Sequence, residues 1–406
     1  MDIRPILSTL RRHKIAAALI VLEIALSCAI ICNAVFLIDS RVQRISMTSG
    51  VAEQDLGVIR LSGIGTDDNA VVVTREDLAA LRAVPGVVEA TAANEVPFGR
   101  SSWNSSVMLS PDQKEETLSA TIYMGSESLR TTLGTQLVAG RDFQADEYTD
   151  FAPGSDANFS PAAAIMTRAL VQRLWPGKSG VGEVFYFGDE APTRVVGVVD
   201  HLVRPNVSGG DAGAEYSVIL PTRVSYDLGG YYLIRARPGQ RDEALKGAVA
   251  ALERNNPNRI ILDQKSMTQI RDEFFRQDRS MAWLLVAVCI ALLVVTALGI
   301  VGLASFWVQQ RTRQIGVRRA LGATRGQILR YFQTENFLLA TVGIVLGMLL
   351  AFGINQLLMG RYELPRLPAM YLPVGALVLW LLGQLSVLGP ARRAAAVPPA
   401  VATRSV

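Results

Sequence analysis

Four long apolar runs constrain this chain more than any other feature of its sequence. They cover residues 15–38, 281–308, 337–358 and 371–388. A helix needs roughly 20 apolar residues to cross about 30 Å of hydrocarbon, and each run reaches or nearly reaches that length. The first run is too long for the core of a signal peptide, and no A-x-A cleavage site follows it. The runs therefore predict four transmembrane helices, the first of them an uncleaved anchor.

Basic residues are distributed unevenly between the segments that join these runs. Residues 1–14, 309–336 and 389–406 together carry 13 Lys and Arg against two acidic residues, whereas residues 39–280 carry 25 basic and 32 acidic residues. Short cytoplasmic segments of membrane proteins concentrate Lys and Arg. The sequence thus predicts that both termini and residues 309–336 are cytoplasmic and that residues 39–280 lie outside. Because the net charge of +4 hides this asymmetry, it gives no support to nucleic-acid binding.

The long polar stretch has the periodicity of a mixed α/β domain. Strand-like "LGVIRLSG" precedes a helix in which Thr74 is expected as the cap and Asp77 lies near the N-terminus. A strand, an amphipathic helix and a second strand follow at residues 229–237, 239–255 and 258–264. These two units predict a subdomain made from residues 50–99 and 229–265, with residues 100–228 as an insertion. From Ser266 a helical pattern runs directly into the second apolar run, which predicts one continuous helix.

The predicted fold is therefore an α-helical membrane domain of four transmembrane helices, with a mixed α/β extracytoplasmic domain inserted between helices 1 and 2. The predicted segments are a cytoplasmic N-terminus (1–14), helix 1 (15–38), the outer domain (39–280), helix 2 (281–308), a cytoplasmic loop (309–336), helix 3 (337–358), an outer loop (359–370), helix 4 (371–388) and a cytoplasmic tail (389–406).

The sequence offers no catalytic constellation. "PGKSG" at residues 176–180 lacks the first glycine of a phosphate-binding loop, since Gln172 stands at that position. Two histidines are too few for a histidine zinc cluster, and no G-x-S-x-G elbow accompanies His201. We therefore predict a chain that is not an enzyme and that binds no cofactor or metal of its own.

Inside the membrane, three residues stand out. Glu23 is a carboxylate near the middle of the first run, where it must be neutralised or paired. We interpret it as a group that holds helices together, protonated or bonded to Ser27 or to a neighbouring helix; a proton carrier is the alternative reading. Gly343 and Gly347 form a small-x-x-x-small face that suits close helix contact.

The cytoplasmic loop "QQRTRQIGVRRALGATRGQILRYFQTEN" has strong local signals. "RTRQIGVRRAL" favours about two helical turns, with Ile315 and Leu321 as apolar anchors and with Arg311, Arg318 and Arg319 available to solvent or acidic partners. Gly322 fits the left-handed position that ends a helix, and Thr324 with Gln327 forms a capping-box pattern for a new helix. A loop that only fixes topology and touches anionic lipid would explain the arginines but would not require these helix signals.

At these residues the chain resembles the MacB/FtsX-type ABC transporter permeases, the type VII or mechanotransmission family, whose loop runs roughly R-x-R-E-I-G-I-R-x-A-L-G-A before a helix with a late Glu. The matching positions are Arg311, Arg313, Ile315, Gly316, Arg318, Ala320, Leu321, Gly322, Ala323 and Glu335. Gln314 departs from the pattern, because it stands where the family usually has Glu. "TLGTQLVAGRDF", "ALVQRLWPGKSGVGE", "VVGVVDHL" and "GPARRAAAVPPAVATR" resemble other family signatures, so the resemblance covers nearly the whole chain.

The resemblance implies that the loop contains a coupling helix, which sits in a groove of a cytoplasmic ABC ATPase. The residues implied to couple to the ATPase are Arg311, Arg313, Gln314, Ile315, Gly316, Arg318, Arg319, Ala320, Leu321, Gly322 and Ala323. It also implies a bacterial inner-membrane location with a periplasmic outer domain, a dimer of ATPases that bind ATP and Mg, and a second permease that is identical or related. A periplasmic adaptor is a further candidate partner. Since the sequence contains no ATPase motif, we expect the ATPase to be a separate polypeptide.

The implied function is export of a drug, a peptide or a lipid-linked substrate by mechanotransmission, in which ATP hydrolysis moves the outer domain. The alternative is a membrane-anchored extracytoplasmic sensor, or a regulator of a cell-envelope enzyme, that performs no transport. A secondary transporter is disfavoured because polar groups are scarce in the apolar runs.

Overall fold

The computed structural model describes residues 14–63, 69–99, 101–113, 117–151, 161–187, 192–207, 213–228, 230–362 and 367–398. The chain divides into two compact units, which are Met1–Ser46 with Gln277–Val406 and, separately, Met47–Arg276. The first unit is helical and the second is mixed α/β.

Ten α-helices occur in the described residues. They are α1 (Lys14–Ile45), α2 (Ala70–Arg82), α3 (Leu129–Leu133), α4 (Arg168–Leu174), α5 (Arg241–Asn255), α6 (Met267–Phe274), α7 (Arg276–Gln310), α8 (Thr312–Ala320), α9 (Arg325–Tyr362) and α10 (Tyr371–Ala395). Four of them, α1, α7, α9 and α10, are long and apolar enough to cross a membrane. All four extend beyond the apolar runs, since polar residues at the ends of a run continue a helix without difficulty.

The described residues also contain thirteen strands. They are β1 (Leu56–Gly63), β2 (Val87–Ala93), β3 (Asn104–Val107), β4 (Leu118–Met124), β5 (Leu137–Gly140), β6 (Thr149–Asp150), β7 (Ala163–Thr167), β8 (Val184–Phe185), β9 (Thr193–Val199), β10 (Ser217–Leu220), β11 (Thr222–Arg223), β12 (Tyr231–Ala236) and β13 (Arg259–Ser266).

In the helical unit, glycines of α9 permit close packing against α1. A Cβ at Gly343 would lie 2.9 Å from the Cβ of Ile24, and one at Gly347 would lie 2.5 Å from the Cβ of Cys28. A side chain at either glycine would therefore force the two helices apart. This close approach of small residues is how helices associate in lipid, where the hydrophobic effect no longer favours contact.

Glu23 of α1 lies beside α7. A Cβ at Gly299 would come within 2.5 Å of both carboxylate oxygens of Glu23, so only a glycine leaves room for this carboxylate. Of the alternatives expected for Glu23, a bond to Ser27 is not the one seen, because the Ser27 hydroxyl pairs with that of Thr296 at 2.8 Å. Both interactions place polar groups of α1 against α7.

The α/β unit is built on two main sheets. A four-stranded antiparallel sheet has the order β13-β1-β12-β2, and its strands come from both ends of the unit. Ile59 and Leu61 of β1 pack in the same buried cluster as Leu78 of α2 and Leu245 of α5. Since side chains alternate across a strand, Val58 and Arg60 occupy the opposite face of this sheet.

The second sheet has the order β3-β4-β10-β7-β9-β5, and β8 pairs with β9. It is mixed, because β10 runs parallel to β4 and β7 runs parallel to β9. The expected strand and helix at "AAAIMTRALVQRLWPG" are confirmed as β7 and α4. The expected hairpin before Thr193 is confirmed by the β8–β9 pairing, although its turn at 188–191 lies outside the described residues.

Two local expectations are wrong. Helix α2 begins at Ala70, so Thr74 lies inside the helix, where its hydroxyl donates to the Ala70 carbonyl at 2.7 Å. Asp77 is fully buried and forms an ion pair with Arg259 instead of serving the helix N-terminus.

The expected continuous helix from Ser266 into the second apolar run is also interrupted. Helix α6 ends at Phe274 and α7 begins at Arg276. The residue between them, Phe275, is fully buried and its ring lies 5.2 Å from that of Phe98. The backbone of Phe275, with φ −90° and ψ +8°, lies outside helical geometry.

Candidate functional site

The segment between α7 and α9 folds as its local signals predict. Helix α8 ends at Ala320, and Gly322 has a φ of +96°, in the left-handed region that favours glycine. The amide of Ala323 donates to the carbonyl of Arg318 at 3.0 Å, and the amide of Gly322 donates to that of Arg319 at 3.2 Å. These two bonds form a Schellman motif, which satisfies carbonyls at the helix end. The expected glycine turn is confirmed.

The next helix begins with a capping box. The Gln327 amide donates to the Thr324 hydroxyl oxygen at 3.3 Å, and the Thr324 amide donates to the Gln327 side-chain oxygen at 2.9 Å. This reciprocal pair satisfies two amides that have no partner inside the helix. The turn and the cap together fix the direction in which the chain leaves α8, and the expected cap is confirmed.

One side of α8 is buried against the chain's own helices. Ile315 is only 5% exposed and belongs to the same apolar cluster as Ile328 and Phe332 of α9. Gly316 is buried beside it. The expectation that Ile315 is an anchor for another protein is therefore wrong, because periodicity identifies an apolar position without identifying what covers it.

Arg311 is also committed to contacts within the chain. Its Nη1 donates to both carboxylate oxygens of Glu335, at 2.9 and 3.1 Å, and its guanidinium lies 5.5 Å from the ring centre of Trp307. Arg311 is 8% exposed and Glu335 is 1% exposed. Of the two alternatives expected for Arg311, solvent or an acidic partner, the structure shows an acidic partner, Glu335, and this ion pair ties the start of α8 to α9.

The other side of α8 is accessible. We define its exposed face as Arg313, Gln314, Val317, Arg318 and Leu321. Leu321 is 83% exposed and Val317 is 44% exposed, so the face combines apolar side chains with cations. The Arg318 guanidinium lies 5.0 Å from the ring centre of Tyr331, which keeps the charge beside the apolar residues.

The remaining predicted positions surround this face. Ala320 and Gly322 are exposed, Arg319 is half-buried, and Ala323 packs partly against the apolar core of the helical unit. The sequence reasoning missed Val317, although its spacing of four residues from Leu321 places both on one side of a helix.

This arrangement is suited to binding a partner. A short helix is fixed to its own chain by Ile315 and Arg311, and it presents Leu321 at a rigid turn with basic residues around it. No group of His, Cys, Asp and Glu suited to holding a metal ion is found within the described ranges.

The geometry defines a class of protein, a multi-pass membrane protein with a large α/β unit and a peripheral helix between two spans. Residues 17–252 match the MacB-like periplasmic core domain family, and residues 286–399 match the FtsX-like permease C-terminal family. The chain therefore belongs to the MacB/FtsX-type ABC transporter permeases.

Several relatives share this sequence pattern. The macrolide export ATP-binding/permease protein MacB of Chromobacterium violaceum is 27% identical over 275 residues, which is 66% of this chain and 40% of that protein. The pyoverdine export ATP-binding/permease protein PvdT of Pseudomonas aeruginosa is 28% identical over 264 residues, 62% of this chain and 38% of PvdT. The chain thus spans less than half the length of these two relatives.

YknZ of Bacillus subtilis, an uncharacterized ABC transporter permease, is 22% identical over 335 residues, 82% of this chain and 79% of YknZ. Among solved structures, the periplasmic region of MacB from Actinobacillus actinomycetemcomitans aligns with a TM-score of 0.35 and 15% identity, covering 57% of this chain and 97% of that one.

Proposed function

We propose that this chain is the non-catalytic permease subunit of an ABC transporter, and that it couples ATP hydrolysis by a separate cytoplasmic ATPase to movement of its α/β unit. The observation that carries the proposal is the geometry of α8. One side of this helix is fixed to the permease by Ile315 and Arg311, while Leu321 projects from a rigid turn on the other side.

The contacts of α8 suit the transmission of force. Arg311 joins α8 to α7 through the backbone and to α9 through its ion pair with Glu335. A push on the exposed face therefore moves the ends of two spans together. Where α7 begins, Asp278 forms ion pairs with Arg41 and Arg44 of α1, so that displacement of α7 also acts on the helix that precedes the α/β unit in the chain.

The charge asymmetry supports an orientation in the bacterial inner membrane. The 13 basic residues in the termini and in residues 309–336 favour the cytoplasm for these segments. The α/β unit, inserted between the first and second spans, then lies in the periplasm, and α8 faces the cytoplasmic ATPase.

The proposed ATPase is a separate polypeptide. The permease role is supported by YknZ, which is named as a permease and of which the alignment covers 79%. ATP and Mg would then bind to the partner ATPase dimer. Four spans are few for a transporter, so a second permease, identical or related, completes the proposed assembly.

The proposed activity is export by mechanotransmission, in which movement of the periplasmic unit drives a drug, a peptide or a lipid-linked substrate away from the membrane. MacB and PvdT, named for macrolide and pyoverdine export, support this class of function. A periplasmic adaptor protein is a further proposed partner.

Cysteine crosslinking tests the proposal directly. In a chain whose three native cysteines are replaced by alanine, Leu321→Cys is expected to crosslink to the ATPase that is co-expressed with the permease. Ile315→Cys is the matched control, because Ile315 lies on the same helix but is only 5% exposed. Val88→Cys tests the orientation, because Val88 on β2 is 54% exposed. A membrane-impermeant maleimide added from outside should label Val88→Cys and should not label Leu321→Cys.

The proposal fails if Leu321→Cys reacts from outside, or if it crosslinks to the ATPase no better than Ile315→Cys. If Val88→Cys is labelled from outside and Leu321→Cys is not, but Leu321→Cys forms no crosslink to the ATPase, the result would instead favour a membrane-anchored sensor or a regulator of a cell-envelope enzyme.

A further inference from the structure

The α/β unit contains a cavity of about 200 Å³. Its floor is the face of the four-stranded sheet that carries Val58 and Arg60, opposite the face covered by α2 and α5. Its other walls come from α6 and from residues 96–99, which follow β2. All of its lining residues belong to the α/β unit.

One part of the cavity wall is apolar and aromatic. Val58, Val96, Phe98, Ile270 and Phe274 contribute apolar side chains. The rings of Phe98 and Phe274 lie 5.4 Å apart, so they form one aromatic surface. Such a wall favours binding of a ligand that has an aromatic ring or a short aliphatic chain.

Phe98 adopts a strained backbone. Its φ is +58°, in the left-handed region that a bulky residue rarely occupies, and it has the only positive φ among the non-glycine residues that the structure describes. The conformation is held because the ring is 3% exposed and is packed against Phe274 and Phe275. Strain of this kind persists where the surrounding structure over-determines it, and it is concentrated at ligand sites.

The charged groups of the cavity are unequally satisfied. Lys265 forms ion pairs with both acidic residues of the lining, at 2.7 Å to Asp263 and 2.8 Å to Glu273. The side chain of Arg60 forms no hydrogen bond or ion pair with any described residue, and its Nε is a buried donor without a partner. A buried guanidinium donor that lacks an acceptor carries a desolvation cost, which a bound anion would remove.

We propose that this cavity binds the acidic end of a small amphipathic molecule, with a carboxylate on Arg60 and a ring or short chain on Phe98 and Phe274. The volume is below the roughly 300–1,000 Å³ of drug-sized pockets, so the site holds one end group of a larger molecule or a small aromatic acid. The site lies entirely in the α/β unit, so its ligand binding does not depend on whether α8 contacts an ATPase.

The test uses the full chain in lipid nanodiscs and 4-phenylbutyrate as the probe, with 4-phenyl-1-butanol and 4-phenylbutylamine as neutral and cationic analogues. Binding is measured by isothermal titration calorimetry after subtraction of the signal from empty nanodiscs. The acid is expected to bind about tenfold or more tightly than the alcohol, the ratio expected of one charge-assisted hydrogen bond.

Arg60→Gln should reduce that ratio to about one, and Arg60→Lys should retain part of it because the charge remains. Arg173→Gln is the matched control, since Arg173 is an exposed arginine of α4 outside the cavity. Thermal unfolding of each variant establishes that the fold is intact, and Arg60→Lys provides the test if Arg60→Gln does not fold.

Three results would overturn the proposal. They are equal binding of the acid and the alcohol, stronger binding of the amine, and a preference for the acid that survives in a folded Arg60→Gln variant. In the last case the acid would bind elsewhere on the protein.

Discussion

Replacing Arg311 by methionine tests whether this arginine serves its own chain or an ATPase. The substitution keeps a long unbranched side chain but removes the cation that contacts Glu335. The carboxylate is then left 1% exposed with its main counter-charge missing. The expected loss is therefore one of stability, caused by the stranded charge.

The structure sets the size of this loss. Arg311 approaches both oxygens of Glu335, at 2.9 and 3.1 Å, so the pair is buried and well formed. Removing one partner of a buried ion pair costs about 3–5 kcal/mol, and the contact of Arg311 with Trp307 adds about 0.5–2 kcal/mol. In the double variant Arg311→Met/Glu335→Leu no charge is stranded, so most of the loss should be recovered.

The assay is a double-mutant cycle on the free energy of unfolding of the purified chain in detergent, with ATPase co-purification measured for each variant. The single variant should be destabilised by about 3 kcal/mol or more, and the double variant should recover both stability and ATPase binding. The reasoning is refuted if Arg311→Met unfolds like the native chain but no longer binds the ATPase, because Arg311 would then act on the partner.

Three further predictions concern acidic residues. Burial raises the pKa of Glu95 to about 8, so the stability that protonation contributes is fully present below about pH 4.5 and is lost as the pH rises through about 8. The free energy of unfolding of the native chain should therefore fall by on the order of a few kcal/mol between about pH 5 and pH 8.5, and Glu95→Gln should remove this fall. Unfolding curves at the two pH values test this, and an unchanged pH dependence in Glu95→Gln would contradict it. Asp77→Ala should lower the free energy of unfolding by about 3–5 kcal/mol, because Arg259, whose side chain is 3% exposed, keeps its charge without its counter-ion. Asp150→Ala, which breaks an exposed ion pair, should lower it by less than about 1 kcal/mol. Equal losses would show that burial does not set the cost. Glu23→Gln should preserve assembly and ATP-driven activity, whereas Glu23→Leu should weaken assembly by about 1 kcal/mol in a subunit-association assay. A Glu23→Gln variant that assembles but is inactive would indicate that Glu23 carries a proton.

The parts of the coupling segment that follow from neighbouring residues were predictable from the sequence. Gly322 ends a helix because only glycine adopts a φ of +96° without strain, and Thr324 caps the next helix because Gln327 lies three residues later. Both signals depend on bonds within a few residues. The pairing of Arg311 with Glu335 joins residues 24 apart, so local reasoning did not identify Glu335 as the acidic partner of Arg311.

The α/β unit shows the same division between local and distant causes. The amphipathic pattern predicts α5, and β1 occurs at the expected residues 56–63. Asp77 is expected near a helix N-terminus, but α2 begins at Ala70 and the partner of Asp77 in the core is Arg259, 182 residues away. The buried ring of Phe275, at the interruption between α6 and α7, likewise packs against Phe98, which is distant in the chain.

The central claim, that the exposed face of α8 binds an ATPase, depends most on Leu321 and Gly322. Leu321→Asp places a charge in a contact that should be largely dry, which costs several kcal/mol when the charge is unpaired. Gly322→Val forces a β-branched residue into the left-handed region. A Cβ at Gly322 would meet no atom within 4 Å, so this variant acts through the direction of the turn and not through a clash within the chain.

The decisive measurement is ATPase co-purification together with permease-stimulated ATP hydrolysis for Leu321→Asp, Gly322→Val and the double variant Arg318→Gln/Arg319→Gln, side by side with the native chain. We predict that the first two variants lose ATPase binding or stimulation by about tenfold or more while the α/β unit stays folded, because several kcal/mol corresponds to at least that change in affinity. If both retain full coupling and only the arginine variant fails, α8 acts through anionic lipid, and the coupling account is wrong.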